Sequence, residues 1–166
     1  MMTLRPFNIN DAETILSWCK DKHAFRLWSA DRYKEFPAQP DDMMEQYTGN
    51  RMFPLTAIVG DAIVGHILLR FPSEDKSVIR FGFVIVDSQK RGNGYGREML
   101  NLAIRYGFEI LKAEKITLGV FENNKAAYHC YRAAGFREVS QAEPEIFHIL
   151  NEDWKCLELE IMQGEE

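Results

Sequence analysis

The 166-residue sequence has few cysteines, and they are poorly placed for cross-links or metal binding. Cys19, Cys130 and Cys156 are odd in number and widely spaced. No Cys-x-x-Cys motif and no histidine cluster accompanies them. The sequence therefore predicts neither a disulfide framework nor a metal site, and free thiols in a reducing compartment are the simplest interpretation.

Long apolar runs and basic stripes are also missing. No stretch approaches the roughly 20 apolar residues that a membrane-spanning helix requires, and Met1–Pro6 lacks the apolar run of a secretory signal. We therefore expect a cytoplasmic protein with no membrane partner. The net charge is −5, and the lysines and arginines are scattered along the chain. This distribution predicts no nucleic-acid partner.

What is present is apolar material for a core. Hydrophobic residues make up 46% of the chain, including 11 Phe, 6 Tyr and 3 Trp. At this length, such a composition fits one compact domain over residues 1–166. Disorder is not expected over most of the chain.

The N-terminal third predicts a strand followed by helices. Asn10 is positioned to cap the first helix, with Glu13 in the capping-box position three residues later. Residues 20–54 are expected to form a helical flank. The predicted elements are a strand at Thr3–Asn8 and helices at Asp11–Cys19 and Pro40–Tyr47.

From residue 55 onward, strands and helices alternate irregularly. Val78–Val86 is apolar on both faces, which is typical of a central strand covered on both sides, and Gly135 is suited to end a helix. This order predicts an α/β fold of the α+β kind, with a central mixed sheet flanked by helices. The predicted elements are strands Leu55–Val59, Ala62–Phe71, Val78–Val86 and Lys115–Phe121, helices Gly94–Lys112 and Lys125–Ala134, and closing strands Phe136–Ala142 and Trp154–Met162.

A glycine-rich turn joins the central strand to the long helix, with the sequence Arg91-Gly92-Asn93-Gly94-Tyr95-Gly96 followed by Arg97. Glycines have no Cβ, so the backbone turns sharply and approaches a ligand closely. The helix start adds free N–H groups and the positive end of its dipole. The turn therefore predicts a phosphate or pyrophosphate site.

Other phosphate-binding motifs fit this turn less well. The Rossmann fingerprint requires a third glycine where Arg97 stands, and it opens a βαβ unit. A Walker A loop ends in Gly-Lys-Ser/Thr, which does not occur here. A glycine-rich loop that binds nothing stays open as the alternative.

The turn resembles the Arg/Gln-x-x-Gly-x-Gly/Ala signature of the GCN5-related N-acetyltransferase family. Residues 124–136 resemble the family's second signature, with Asn124, then Ala, then Tyr131, then Gly135-Phe136. The resemblance covers residues 55–136 best. It implies a single-domain acyl-coenzyme A N-acyltransferase fold and acetyl-coenzyme A as co-substrate.

The resemblance also implies roles for individual residues. Tyr131 matches the position that protonates the departing coenzyme A sulfur, and a phenol with a pKa of about 10 stays protonated at neutral pH. For the backbone of the central strand to meet the cofactor, that strand must splay or bulge near Gly82–Val86. Asn124, Tyr128 and Tyr131 are spaced to share one helix face. The implied cofactor-binding residues are Val84, Ile85, Val86, Arg91, Gly92, Asn93, Gly94, Tyr95, Gly96, Arg97 and Asn124.

The general base and the acceptor stay open. Many family members carry a Glu where this sequence has Arg80 or Gly119; Glu122, His66 or a chain of water molecules are the alternatives. The resemblance places the acceptor groove at Phe25–Phe36 and in a loop at Glu143–Asp153, whose carboxylates favour a cationic amine.

The expected acceptor is therefore an amine of a small molecule or a peptide, and a homodimer is a family-level expectation. A non-catalytic acyl-coenzyme A-binding regulatory module and a nicotinamide-dependent oxidoreductase are the rival hypotheses.

Overall fold

A computed structural model describes residues 1–141 and 143–164, which form one mixed sheet with helices on both faces. The elements are β1 Met2–Pro6, α1 Ile9–Ser17, α2 Lys22–Ser29, α3 Pro40–Gln46, β2 Met52–Val59, β3 Ala62–Arg70, β4 Val78–Val86, α4 Tyr95–Arg105, β5 Lys115–Phe121, α5 Lys125–Ala134, β6 Arg137–Glu138, β7 Glu145–Ile149 and β8 Glu152–Met162. The predicted bounds of β4, β5 and α5 are confirmed.

The sheet runs in the order β1-β2-β3-β4-β5-β8-β6, and β7 pairs with β8. The β4–β5 pair is parallel, and the other strand pairs among the described residues are antiparallel. The main core lies between one sheet face and α4 and α5. A second core, rich in aromatic residues, lies between the other face and α1 to α3.

The start of α1 differs from the sequence prediction. Asn8, not Asn10, caps the helix, and Asp11, not Glu13, completes the capping box. Asp11 is buried, where it accepts hydrogen bonds from Arg5 and Thr56, each at 2.8 Å. The capping box therefore lies two residues earlier than predicted because Asp11 also joins α1 to the sheet.

The long helix predicted at Gly94–Lys112 is not regular throughout. It is α-helical from Tyr95 to Arg105 and continues as a π-helical turn over Tyr106–Ile110. Gly107 lies in that turn, where an added Cβ would come 3.0 Å from the Ile116 side chain. Close packing on β5 thus accompanies the change of helix type.

The predicted loop Glu143–Asp153 was wrong, because it contains β7 and the turn to β8. Leu150 and Asn151 have φ values of 52° and 63°, as a tight hairpin turn requires. Of the predicted strand Phe136–Ala142, only Arg137–Glu138 is extended and paired, and Ala142 lies outside the described residues.

The centre of the sheet is open between β4 and β5. These strands pair only where Val78–Arg80 faces Lys115–Thr117, and they separate beyond that point. On its other edge β4 carries a bulge, because Phe83 and Val84 together oppose Ile67. Phe83 has a φ of 50°. The predicted splay and bulge near Gly82–Val86 are both confirmed.

Candidate active site

The gap between β4 and β5 widens into a cleft of about 1030 Å³. Its walls come from β4, β5, the start of α4, α5 and the helical flank around α2. This volume is at the upper end of the range of about 300 to 1,000 Å³ that is usual for ligand pockets. A single cleft therefore joins the glycine turn to the N-terminal helices.

The glycine turn forms one end of the cleft. Gly92 and Gly94 have φ values of 87° and 74°, and no atom would contact a Cβ at either position. Gly94 is the N-cap of α4, and no side chain caps this helix. The first N–H groups of α4 thus lack a side-chain partner, and the positive end of the helix dipole meets the cleft. These features fit an anionic phosphate.

Gly96 allows α4 to start close to its neighbours. A Cβ at this position would lie 3.6 Å from the Cys130 sulfur and 3.8 Å from the Val86 side chain. The start of α4 is therefore packed between β4 and α5. This packing brings the two sequence motifs together in space.

Most predicted site residues line this cleft. Asn93 does not, because its side chain donates a 3.0 Å hydrogen bond to the Lys90 carbonyl and so holds the turn. The residues that line the cleft are Val84, Ile85, Val86, Arg91, Gly92, Gly94, Tyr95, Gly96, Arg97, Asn124 and Tyr131.

The open edge of β4 exposes backbone groups to the cleft. Beyond Arg80 no strand pairs with this edge in the described part of the chain. The peptide groups that would otherwise bond to β5 are therefore free to bind a ligand. The bulge at Phe83 changes the direction of the strand at the same point.

Tyr131 is the cleft-lining tyrosine of α5. It is buried, its ring packs on Phe136, and burial together with the nearby Cys130 thiol raises its pKa well above the usual phenol value. Among residues 1–141 and 143–164, none forms a hydrogen bond with its hydroxyl. The phenol therefore stays protonated at neutral pH and is free to act on a ligand.

Tyr128 packs against the same core as Tyr131, as the predicted shared helix face requires, but it does not line the cleft. Its hydroxyl donates to Glu138 at 3.0 Å and accepts from Arg132 at 3.1 Å, outside the cleft. Asn124 caps α5 by accepting the Ala127 N–H, and it lines the cleft. The hydroxyl of Tyr128 is thus engaged in hydrogen bonds away from the cleft.

Neither base candidate from the sequence reaches the cleft. Glu122 lies 3.9 Å from the Lys155 ammonium. His66 is fully buried, with its Nε2 2.7 Å from the Tyr47 hydroxyl, and burial lowers its pKa to about 3. A histidine held neutral in the core does not exchange protons with a ligand in this cleft.

Arg80 and Gly119 form one structural unit. A Cβ on Gly119 would come 3.1 Å from an Arg80 guanidinium nitrogen, so the glycine leaves room for this side chain. Arg80 donates to Glu158 on β8 at 2.8 and 3.1 Å and to Thr117 at 3.1 Å. Arg80 is thus held in an ion pair with Glu158, and neither Arg80 nor Gly119 supplies a carboxylate to the cleft.

The helical flank and β7 contribute cleft residues that the motifs did not identify. Asp21 and His23 come from the start of α2, and Glu145 and Phe147 come from β7. Phe25, by contrast, is buried in the second core. Both predicted groove segments therefore contribute residues to the cleft, and their role in binding an acceptor stays a prediction.

The described residues hold neither a metal cluster nor a membrane-spanning helix. No group of three or more His, Cys, Asp or Glu side chains there is arranged to hold a metal ion. None of the described helices is long and apolar enough to cross a membrane.

Known proteins resemble this chain along most of its length. Over 155 residues it is 27% identical to the spermidine N(1)-acetyltransferase of Vibrio cholerae, covering 88% of this chain and 84% of that protein. A stretch of 52 residues is 36% identical to the spermine/spermidine N(1)-acetyltransferase of Bacillus subtilis, covering 31% of this chain and 34% of that protein.

Solved structures share the fold. The crystal structure of the Vibrio cholerae spermidine N-acetyltransferase with CoA and spermine matches with a TM-score of 0.81 at 24% identity, over 99% of this chain and 96% of that one. The model of the Acetyltransferase (GNAT) family matches residues 22–136, which include the glycine turn and α5. The chain therefore belongs to the acetyltransferase (GNAT) family, and it is an N-acetyltransferase with acetyl-coenzyme A as its co-substrate.

Proposed function

We propose that the protein transfers an acetyl group from acetyl-coenzyme A to a primary amine of a small molecule or a peptide, with Tyr131 as the proton donor. The observation that supports this best is a single cleft containing the glycine turn, the open edge of β4 and Tyr131. The turn is suited to the phosphates, the strand edge to the thioester, and the phenol to the sulfur.

The donor half of the cleft would hold the coenzyme through the predicted residues. Backbone N–H groups of Gly92 and Gly94–Arg97 would bind the pyrophosphate, assisted by the charges of Arg91 and Arg97. The backbone of Val84–Val86 would bind the pantetheine arm, with Asn124 beside it. Asn93 would act indirectly, through its hydrogen bond to the turn.

The chemistry requires one bond to form and one to break. The amine nitrogen attacks the thioester carbon, and a main-chain N–H of β4 stabilises the oxyanion. When the C–S bond breaks, the Tyr131 hydroxyl gives its proton to the sulfur. The amine nitrogen loses one proton to solvent, and the Tyr131 phenolate takes one back from solvent before the next cycle. The raised pKa of Tyr131 favours a phenol that is protonated at the start of each cycle.

Polyamines are candidate acceptors because relatives are named for spermidine and spermine. The carboxylates of Asp21 and Glu145 line the cleft and would attract a cationic amine. The similarity that supports this candidate is 27% over most of the chain and higher only over a short stretch.

A thiol-release assay tests the proposed reaction. Acetyl-coenzyme A is offered with polyamines, amino acids and peptides with free N-termini, and at least one amine should raise release above the background hydrolysis. Tight coenzyme A binding without acceptor-dependent release would favour the non-catalytic binding module. Tight binding of NAD alone would contradict the coenzyme A site itself.

A further inference from the structure

Three arginines lie in the cleft away from the glycine turn. Arg70 ends β3, Arg80 is its register partner on β4, and Arg32 follows α2. Arg80 precedes Val86 by six residues, or about 20 Å of extended strand. We call Arg32, Arg70 and Arg80 the arginine patch. The positions of Arg70 on β3 and Arg80 on β4 separate the patch from the phosphate-binding turn.

The patch lies on the sheet face that α1 to α3 cover. Leu69, Ile79 and Phe81 belong to the main core on one side of the sheet. Because side chains alternate along a strand, Arg70 and Arg80 point to the opposite side, where Leu68 joins the second core. The α2 flank meets the sheet on this side, and Arg32 follows α2.

The charges of the patch are only partly balanced. Glu158 and Thr117 satisfy Arg80. Arg70 is partly buried, yet in the described residues its guanidinium makes no hydrogen bond or ion pair, and the same holds for the exposed Arg32. Burial, Arg80 and Arg32 all lower the pKa of Arg70, so the arginines repel one another.

A simpler explanation of the patch is a row of solvated charges across the sheet. This explanation suits Arg80, whose charge is offset by Glu158 on β8. It suits Arg70 on β3 less well. Arg70 faces Arg80 directly across the strand pair, and like charges in that arrangement destabilise a sheet. A partly desolvated guanidinium without a partner is suited to bidentate binding of a carboxylate or a phosphate.

We infer that the arginine patch binds an anionic group of the acceptor, so that the acceptor is an amine that also carries a carboxylate or a phosphate. The inference rests on the proposed acetyl transfer and narrows its acceptor. A wholly cationic polyamine would meet three arginines in this part of the cleft, whereas a zwitterionic amine would place its anion there. Asp21 and Glu145 remain available to its ammonium group.

Pairs of acceptors that differ only in the anion test the inference. A dipeptide is compared with its C-terminal amide, and glucosamine 6-phosphate with glucosamine, in acetyl-transfer kinetics with spermidine as the cationic reference. The anionic member of at least one pair should have a kcat/KM about tenfold or more higher, since hydrogen bonds to charged groups contribute at this level. A difference within the dipeptide pair would indicate that the patch binds a carboxylate, and a difference within the glucosamine pair would indicate a phosphate.

Arg70→Gln should abolish this preference without lowering the melting temperature, because it removes a repelling charge. Arg105→Gln is the control, since Arg105 is exposed on α4 beside Glu109 and outside the cleft. The inference would be overturned by an equal kcat/KM for both members of each pair or by a higher kcat/KM for spermidine. It would also be overturned if Arg70→Gln kept the preference for the anionic member.

A lack of turnover with every amine would count against the proposed reaction and not against the patch. Calorimetric titration of the same pairs into the coenzyme A-loaded protein then measures directly whether the anionic group increases the affinity. Equal affinities within both pairs, or none, would overturn the inference.

Discussion

Tyr131 and Tyr128 lie on the same helix three residues apart, and only Tyr131 reaches the cleft. We expect Tyr131→Phe to lower kcat by about 100-fold or more, because a positioned general acid contributes about 10²- to 10⁴-fold. The affinity for coenzyme A should change little, since the ring and its packing on Phe136 are kept. Steady-state kinetics and calorimetric titration measure the two effects separately.

Tyr128→Phe is the matched control for this substitution. It also removes a single hydroxyl from α5, but that hydroxyl bonds Glu138 and Arg132 away from the cleft. Its kcat should stay near that of the unmodified protein. If both variants lose turnover equally, or if Tyr131→Phe keeps full turnover, Tyr131 is not the proton donor.

At single residues, the sequence identified departures from the family pattern but not their cause. Arg80 and Gly119 stood out one by one, and only the sheet register brings them together with Glu158. The sequence predicts Asp11 as the first helical residue, whereas the structure shows it as a buried acceptor for Arg5 and Thr56. Such roles depend on contacts between distant positions, which a local pattern does not contain.

Elements were predictable where their signal was local and strong. The apolar run of β4 and the Gly135 stop after α5 gave correct bounds. The strand β7 was missed because its charged residues read as a loop, although Leu150-Asn151 forms a hairpin turn. The π-helical turn after Arg105 coincides with close packing of Gly107 on Ile116, a contact that helical periodicity does not predict.

The glycine turn begins α4, so a substitution in the turn should affect both the stability of the protein and the binding of coenzyme A. Gly94→Ala forces a φ of 74° on a residue with a Cβ, although no atom obstructs the new methyl group. We expect a loss of about 1 kcal/mol or more in unfolding free energy and weaker coenzyme A binding, because the strained turn shifts the first N–H groups of α4. Urea unfolding and calorimetric titration test the two effects.

Gly60→Ala provides the control for backbone strain alone. Gly60 has a φ of 61° with open space around it and lies in the β2–β3 turn outside the cleft. It should lose a similar amount of stability and bind coenzyme A normally. Normal coenzyme A binding by Gly94→Ala as well would show that the turn does not position the phosphates.

At the scale of the whole molecule, the two halves of the cleft differ in how far sequence specifies them. The proposed donor half is built from consecutive residues around Arg91–Arg97 and from α5, so its motifs are visible in the sequence. The proposed acceptor half combines the α2 flank, residues of β3 and β4, and β7. No spacing connects Arg70 with Arg32 or Glu145, so tertiary structure alone brings them into one cleft.

The pH dependence of global stability should report the buried His66. In the unfolded chain this histidine binds a proton below about pH 6.5, whereas in the folded protein burial holds its pKa at about 3. The unfolded state therefore binds more protons throughout that window, and the unfolding free energy falls as the pH falls. Between pH 7.5 and pH 5 the loss should be about 2 kcal/mol.

His66→Gln removes this titration while keeping a polar group for the Tyr47 hydroxyl, 2.7 Å from the imidazole. Urea unfolding is measured for both proteins at pH 7.5 and pH 5, above the range in which Asp11 titrates. The glutamine variant is expected to start from a lower stability but to lose less of it on acidification, so the slopes are compared and not the absolute values. Parallel slopes would mean that His66 binds a proton in the folded core as readily as in the unfolded chain, which would contradict the lowered pKa.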